Sequence, residues 1–377
     1  MRIGYITLSC AHNYGAVLQA YALGYFLNEH GYEAELIDYV TERYQIDNPD
    51  FVFKSTVRWR KNIGTRFLWK ITKHRNEIKC RECFNKFVNQ YIPKTKTYIS
   101  NEDLKQHLPL FDLFISGSDQ IWNTDFSWDS KPDLPYFLDF VPESIPKIAY
   151  SSSFGKARLK DDEQDEIKHL LSKYSAIAVR EYTGKDIVEK LGLQAKVVVD
   201  PTLLCNRKVW DELASKKIIN RPYILLFQIF PNDELKKTAK RIAKKKGMKL
   251  VIVSANPMHR KKLGMKAIFL TKVENWLSYI KYANYVLTDS FHGSVFSILF
   301  NRQFVSNINV MGTSRITGLL DSLNLTDRKT KDLSFDSIWE IIEKDIDYSE
   351  TNACVEKMRM DSANWLLSVI EEQKYND

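Results

Sequence analysis

The sequence lacks an apolar tract of membrane length, and its first residues do not resemble a secretory signal peptide. Its five cysteines are scattered and form no disulfide framework, which favours a reducing compartment. One Cys-x-x-Cys pair, Cys80 and Cys83, has no second pair and no histidine cluster near it, so we interpret it as structural. These absences predict a cytoplasmic protein without a transmembrane helix.

Nucleotide-binding signatures are also absent. Neither G-x-G-x-x-G nor G-x-x-x-x-G-K-[ST] occurs anywhere in the 377 residues. Dinucleotide-binding and P-loop interpretations are therefore weak, and no sequence cluster of histidines, cysteines and carboxylates indicates a metal. We expect no metal ion and no cofactor.

Basic residues are distributed unevenly. The formal net charge is +8, and residues 54–81 contain ten lysines and arginines against one acidic residue, Glu77. Aromatic and aliphatic residues are interleaved with them, a composition expected at an anionic membrane surface. A helix that packs its apolar face on the protein core would have the same composition. Both interpretations stay open.

Strand and helix patterns alternate along the chain, which predicts an α/β fold. In the first part, the predicted strands are residues 3–8, 36–40, 113–116, 148–152, 176–179 and 197–199. The alternation restarts after Cys205, with predicted strands at 223–229, 250–254, 268–270, 285–288 and 304–308. A chain of 377 residues is long for one domain. We therefore predict two Rossmann-like domains that face a central cleft.

The pattern also predicts the domain boundaries. The first domain comprises residues 1–205 and includes a basic helical insert at about 53–91, and the second comprises residues 206–350. Residues 351–377 have the apolar spacing of an amphipathic helix, which we expect to pack back on the first domain.

Residues 286–301 read VLTDSFHGSVFSILFN and combine a strand, a polar turn and a buried helix. In open parallel sheets, ligands bind at the carboxyl ends of strands, where helix N-termini favour anions. His292 would lie at such an N-terminus and could exchange a proton near neutral pH. The alternative is a histidine that merely caps the helix, and the residue alone does not separate the two.

Two further turns after predicted strands contain candidate binding residues. Asn13 and Gly15 follow the first strand, where glycine permits close approach of the backbone to a ligand. Ser118, Asp119 and Gln120 follow the third strand. They offer hydroxyl-binding groups and one candidate base, or alternatively an Asx-type helix cap.

Charged residues follow the fifth and sixth predicted strands. Arg180 comes directly after residues 176–179, and Asp200 comes directly after residues 197–199. An arginine at this position either binds an anionic ligand or pairs with a neighbouring carboxylate. Asp200 could simply cap a turn.

Five motifs of the chain are NYGAVLQAYAL (13–23), SGSDQIWN (116–123), AVREYTG (178–184), VVVDPTLL (197–204) and DSFHG (289–293). Their order and spacing resemble the polysaccharide pyruvyl transferase family, from residue 1 to about residue 330. The resemblance implies a GT-B-like fold. It also implies transfer of a pyruvyl group from phosphoenolpyruvate to a sugar, usually as a cyclic ketal on two hydroxyls.

Individual residues acquire roles from this resemblance. Arg180 matches a family arginine that holds the anionic groups of the donor. His292 matches a histidine of the second domain that serves as general acid or phosphate ligand, with Ser290 and Gly293 beside it on the donor side. Asp119 matches the first-domain turn that faces the acceptor, which makes it the candidate base. The acceptor-binding candidates in the first domain are Asn13, Gly15, Ser118 and Gln120.

One position departs from the family pattern. Some members have arginine two residues before the histidine, whereas this chain has Ser290. Arg315, just ahead of a predicted helix, is our candidate for the missing charge on the donor phosphate. A surface arginine near a helix start is the alternative.

The resemblance implies an acceptor saccharide, which we expect to be linked to polyprenyl diphosphate in capsule or exopolysaccharide assembly. Such an acceptor would hold the protein at the inner face of the cell membrane, with residues 54–81 as the contact. No nucleic acid is expected. Two alternatives stay open: a GT-B-like glycosyltransferase that uses a nucleotide sugar, and a non-enzymatic binder of polyanions or membrane surfaces.

Overall fold

The computed structural model of the chain describes residues 1–45, 75–127, 129–308 and 314–374. The chain divides into two compact units: Met1–Leu204 with Arg359–Asp377, and Cys205–Met358. Most of the predicted basic insert, residues 53–74, lies outside the described residues. Its remainder forms a helix, Arg75–Tyr91.

The first unit contains a parallel sheet of six strands in the order β2-β1-β3-β4-β5-β6. The strands are β1 (Arg2–Ile6), β2 (Glu33–Leu36), β3 (Leu113–Ser116), β4 (Lys147–Ser152), β5 (Ala176–Val179) and β6 (Lys196–Val197). Every residue of β3 and β4 is buried, as expected for the centre of a parallel sheet covered on both faces. Up to residue 204, the helices in the described part of the chain are α1 (Tyr14–Glu29), α2 (Arg75–Tyr91), α3 (Asn101–Gln106), α4 (Asp161–Leu171), α5 (Tyr182–Lys190) and α6 (Pro201–Leu204).

The second unit contains another parallel six-stranded sheet, in the order β12-β11-β10-β7-β8-β9. The strands are β7 (Tyr223–Phe227), β8 (Lys249–Ser254), β9 (Ile268–Phe269), β10 (Tyr285–Thr288), β11 (Gln303–Asn307) and β12 (Lys329–Thr330). The helices are α7 (Arg207–Leu213), α8 (Asp233–Lys245), α9 (Arg260–Leu263), α10 (Val273–Lys281), α11 (Phe291–Leu299), α12 (Ser314–Ser322), α13 (Phe335–Glu343) and the start of α14 (Tyr348–Lys374).

These strand orders confirm the predicted α/β fold with two Rossmann-like units. The second sheet has the doubly wound order of dinucleotide-binding folds, and the first has the flavodoxin-like variant of that order. In both orders, successive strands are added first toward one edge of the sheet and then toward the other, so the strand order reverses at one pair of neighbouring strands. That switch point lies between β1 and β3 in the first unit and between β7 and β10 in the second.

One predicted strand was wrong in its position. The second strand is Glu33–Leu36, not residues 36–40, and it pairs with β1 from Arg2 opposite Glu33 to Tyr5 opposite Leu36. Its charged residues alternate with buried Ala34 and Leu36, because successive side chains of a strand point to opposite faces of the sheet. The largely apolar run that begins at Leu36 is the stronger strand signal in the sequence, but the strand lies in the alternating segment before it.

The terminal helix packs on the first unit as predicted. From Arg359 onward its residues belong to that unit. Arg359 Nε donates to the carbonyl of Leu203 at 2.8 Å, and the Ser362 hydroxyl accepts from the backbone of Val199 at 3.1 Å. In the parts of the chain that the structure describes, no helix has both the length and the apolar character needed to cross a membrane.

Candidate functional site

The predicted turn after β10 forms a capped helix start. The Ser290 hydroxyl accepts from the backbone N–H of Gly293 at 3.2 Å, and Thr288 Oγ1 accepts from the backbone N–H of Ser290 at 3.0 Å. Ser290 is therefore the N-cap of α11. A Cβ atom added at Gly293 would lie 2.5 Å from Thr288 Oγ1, so the helix packs against its strand too closely for a side chain there. The predicted donor-binding roles of Ser290 and Gly293 stay predictions.

His292 lies in the first turn of α11 and is only 5% exposed. Its imidazole meets the Phe291 ring edge-on, with the centroids 5.1 Å apart. The aligned peptide dipoles of this nine-residue helix give its N-terminus a partial positive charge, which favours an anion there. The structure thus places the candidate acid at a helix end suited to phosphate or carboxylate.

Arg315 contacts the same helix end. It is the second residue of α12, and its guanidinium carbon lies 5.9 Å from the centroid of the Phe291 ring. Phe291 thus contacts both Arg315 and His292. The predicted compensation for Ser290 stays a prediction.

Asp289 links the two strands of the second switch point and was given no role in the sequence analysis. Its carboxylate accepts the backbone N–H of Ile229 at 2.6 Å and that of Phe230 at 2.9 Å. Burial raises its pKa from 3.8 to about 6, although the two backbone hydrogen bonds act in the opposite direction. Asp289 therefore fixes the loop after β7 against the start of α11.

Gln228 was also missed by the sequence analysis. It directly follows β7, whose last residue Phe227 pairs with Thr288, so Gln228 lies beside Asp289. Its side chain is 2% exposed, and within the described part of the chain neither atom of its amide has a hydrogen-bond partner. A buried unpartnered amide is costly and indicates a polar ligand or water. Its position after a strand of the switch point was the available signal.

A pH prediction follows from Asp289. Folding raises its pKa, so the native state binds the additional proton between about pH 4 and pH 6, and stability falls as pH rises through that interval. Two pH units at about 1.4 kcal/mol each give a loss of about 3 kcal/mol. We therefore expect the difference in the free energy of unfolding between Asp289→Asn and the parent to shift by about 3 kcal/mol in favour of the variant from pH 4 to pH 7, as measured by urea unfolding. A relative stability that is independent of pH would contradict this.

Arg180 lies in a buried cluster of charges in the first unit. Its guanidinium, 2% exposed, is 2.9 Å from Asp200 Oδ2, 3.4 Å from Asp119 Oδ1 and 3.7 Å from Glu181 Oε2. Burial alone would lower the pKa of Arg180, but the three carboxylates raise it above its ordinary value. The guanidinium is therefore fully charged and already surrounded by anions.

Neighbouring polar groups hold these carboxylates. Asp200 Oδ1 accepts from the backbone N–H and the hydroxyl of Thr202 at 3.0 and 2.6 Å, and its other oxygen accepts from the Ser118 hydroxyl at 3.2 Å. Glu181 accepts from the Ser153 hydroxyl at 2.6 Å. Ser118 is fully buried in this network. The loops after β3, β4, β5 and β6 are thereby tied together by one ion cluster.

Asp119 is at the solvent side of that cluster, with 13% of its side chain exposed. Its backbone has a left-handed φ of 73°, which aspartate tolerates better than most residues. Its carboxylate accepts from the backbone N–H of Gln120 at 2.8 Å. The Gln120 side-chain oxygen accepts from the Asn123 amide at 2.9 Å.

Asn13 and Gly15 form the start of α1. The Asn13 side chain caps the helix by accepting from the backbone N–H of Gly15 at 2.9 Å. Their predicted acceptor-binding roles stay predictions. Among the described residues, no group of three or more histidine, cysteine, aspartate or glutamate side chains could hold a metal ion.

Comparison with known proteins gives a family for these features. The model of a family described as polysaccharide pyruvyl transferase matches residues 13–309. No curated protein matches the sequence.

Solved structures show a similar fold at low sequence identity. The UDP-N-acetylglucosamine 2-epimerase from Rickettsia bellii has 11% identity and a TM-score of 0.53, with 97% of this chain and 98% of that chain covered. The UDP-GlcNAc 2-epimerase from Methanocaldococcus jannaschii has 12% identity and a TM-score of 0.52, with 92% and 93% covered. These epimerases have the GT-B fold, so the predicted fold type is confirmed.

Proposed function

The chain belongs to the polysaccharide pyruvyl transferase family, and on that premise we propose that it transfers a pyruvyl group from phosphoenolpyruvate to a saccharide. The product would be a cyclic ketal on two sugar hydroxyls. The proposal assigns the donor to the second unit and the acceptor to the first.

The reaction balances without an oxidant or a reductant. A proton is added to the methylene carbon of the enol, which becomes a methyl group and leaves a cation-like centre at the adjacent carbon. One sugar hydroxyl attacks that carbon and loses its proton, and the bond between carbon and the phosphate oxygen breaks. The second hydroxyl then attacks the same carbon and loses its proton, which closes the ring. The products are the ketal and inorganic phosphate, and we propose no cofactor or metal for the reaction.

The observation that carries the assignment of the donor is the start of α11. His292 is buried there at a helix end that favours anions, and Arg315 contacts the same Phe291 ring. The His292 imidazole would supply the proton for the enol carbon, and Arg315 would balance the phosphate charge. Gln228 offers a buried amide that can orient a carboxylate or a phosphate.

In the first unit we assign the base role to Asp119 and a positioning role to Arg180. The guanidinium lies among three carboxylates, so it holds Asp119 in place more readily than it binds a fourth anion. The direct contact of Arg180 with the donor, implied by the family resemblance, stays a prediction.

The test of this function measures inorganic phosphate released from phosphoenolpyruvate with candidate lipid-linked oligosaccharides, and mass spectrometry of the saccharide. We expect release that depends on the acceptor, together with a pyruvylated product. The same acceptors with a panel of nucleotide sugars form the second arm. Glycosyl transfer in that arm, without phosphate release in the first, would replace the proposal with a glycosyltransferase. Salt-sensitive polyanion binding without either reaction would indicate a non-enzymatic binder.

We also propose that residues 54–81 bring the protein to an anionic membrane that carries the acceptor. This proposal rests on their composition, since residues 54–74 lie outside the described part of the chain. Each basic residue near such a surface contributes about 1 kcal/mol. We expect the parent protein to co-sediment with anionic liposomes at low salt but not at high salt. A variant with Arg58, Arg60, Lys61 and Arg66 changed to glutamate should stay in the supernatant even at low salt. A parent protein that stays in the supernatant at low salt would refute the proposal.

A further inference from the structure

A cavity opens at the switch point of the first sheet. Its volume is about 100 Å³. The lining comes from the loop after β1, from residues 41–44 and from the segment after β3, together with Asp133 and Tyr136. One water needs a cavity of only about 10–15 Å³, so this cavity is large enough for more than a single water.

The location of the cavity is the one at which doubly wound sheets bind ligands. β1 and β3 are neighbours in the sheet, and the strand order reverses between them. Leu8 follows β1, and Gln120, Asn123 and Phe126 follow β3. Two adjacent strand ends therefore both contribute to the lining.

One wall of the cavity is aromatic. Phe126 is 39% exposed, and its ring is covered by the Arg43 guanidinium at 5.2 Å from the centroid. Tyr44 lies beside Arg43 in a short turn and also lines the cavity. Exposed aromatic rings with planar polar groups suit ligands that have both an apolar face and hydroxyls.

The lining also offers hydrogen-bonding groups of both kinds. The amides of Gln120 and Asn123 and the guanidinium of Arg43 contain donors, and the Asp133 carboxylate contains acceptors. Asp133 is fixed by the Tyr39 hydroxyl at 2.8 Å and the Thr41 hydroxyl at 2.6 Å. A carboxylate in the lining opposes a small anion, whereas it can accept from a sugar hydroxyl.

From this lining we propose that the cavity binds one neutral sugar ring of the saccharide acceptor, with its C–H face on the exposed part of the Phe126 ring that Arg43 does not cover, and its hydroxyls on Arg43, Asn123 and Asp133. The assignment rests on the proposed function for the identity of the acceptor. In this proposal Gln120 lines the acceptor site, as predicted from the sequence. Arg43, Phe126 and Asp133 are additional acceptor-binding residues that were not predicted from the sequence.

The test measures the binding of methyl hexopyranosides by saturation-transfer difference NMR, with no donor present. We compare the parent with Phe126→Ala and with Arg43→Ala. The Arg43 side chain is exposed, so we expect its removal to leave the fold intact. The matched controls are Phe335→Ala and Arg241→Ala, because Arg241 covers Phe335 in the second unit in the same way, at 4.4 Å. We expect binding by the parent and the controls, and a rise in Kd of about tenfold in the cavity variants.

The outcomes separate this inference from the proposed function. If the protein transfers pyruvate but no glycoside binds, or the cavity variants bind as the parent does, the cavity assignment is wrong and the function stands. If the cavity variants lose glycoside binding while phosphoenolpyruvate is never consumed, the sugar site stands and the function is wrong. If Arg43→Ala loses binding of inorganic phosphate but not of glycosides, the cavity is an anion site instead.

Discussion

Replacing His292 with alanine is expected to lower the rate of phosphate release from phosphoenolpyruvate by about 10²–10⁴-fold, the usual cost of losing a general acid. The reason is its position: the imidazole is buried at the start of α11, where the donor phosphate and carboxylate would bind. His292→Gln keeps most of the side-chain volume and a hydrogen-bond donor but cannot transfer a proton. It should be nearly as slow as the alanine variant.

The control for this prediction is His169→Ala, which removes an exposed histidine from α4. Circular dichroism and the unfolding midpoint show whether each variant is folded. A folded His292→Gln variant within a few-fold of the parent rate would remove His292 from the chemistry and leave it as a buried residue of the helix start.

The second large effect is on stability. We expect Arg180→Ala to destabilise the protein by about 3–5 kcal/mol, because it leaves the carboxylates of Asp119, Glu181 and Asp200 near one another without a counter-charge. Since whole domains are stable by only about 5–15 kcal/mol, this variant should unfold at much lower urea concentration or fail to accumulate as soluble protein.

Lys185→Ala is the matched control. It removes a cation from an exposed pair, 3.5 Å from Glu189 on α5, where ion pairs contribute about 0–1 kcal/mol. An Arg180→Ala variant as stable as this control would show that the cluster does not depend on the arginine.

Arg180→Lys separates the two proposed roles of the arginine. Lysine keeps the charge but cannot reproduce a planar fork that reaches three carboxylates. A positioning role predicts reduced stability and a lower kcat with an unchanged KM for phosphoenolpyruvate. A raised KM for phosphoenolpyruvate would instead support direct contact with the donor.

The local pattern of apolar and polar residues determined the secondary-structure elements of this protein. The alternation of apolar runs and helical spacings predicted two parallel-sheet units, because each strand and helix must bury an apolar face within a few residues of chain. The strand, turn and helix around His292 were predicted for the same reason. Ser290 and Asn13 are helix caps because their side chains reach backbone groups only two or three residues away.

Contacts between distant segments were decided only by the tertiary structure. Arg180, Asp119 and Asp200 come from three separate loops, and only the order of the strands places them within 4 Å. The hydrogen bonds that the Asp289 carboxylate accepts from the backbone of residues 229 and 230 likewise join distant segments. The cavity lined by residues 41–44 and Phe126 also depends on segments far apart in the sequence. Spacing along a sequence carries no record of which strands become neighbours, because sheet order depends on the packing of the whole unit. The sequence alone thus determined the elements and the residues at their ends, and the tertiary structure decided which of those residues meet.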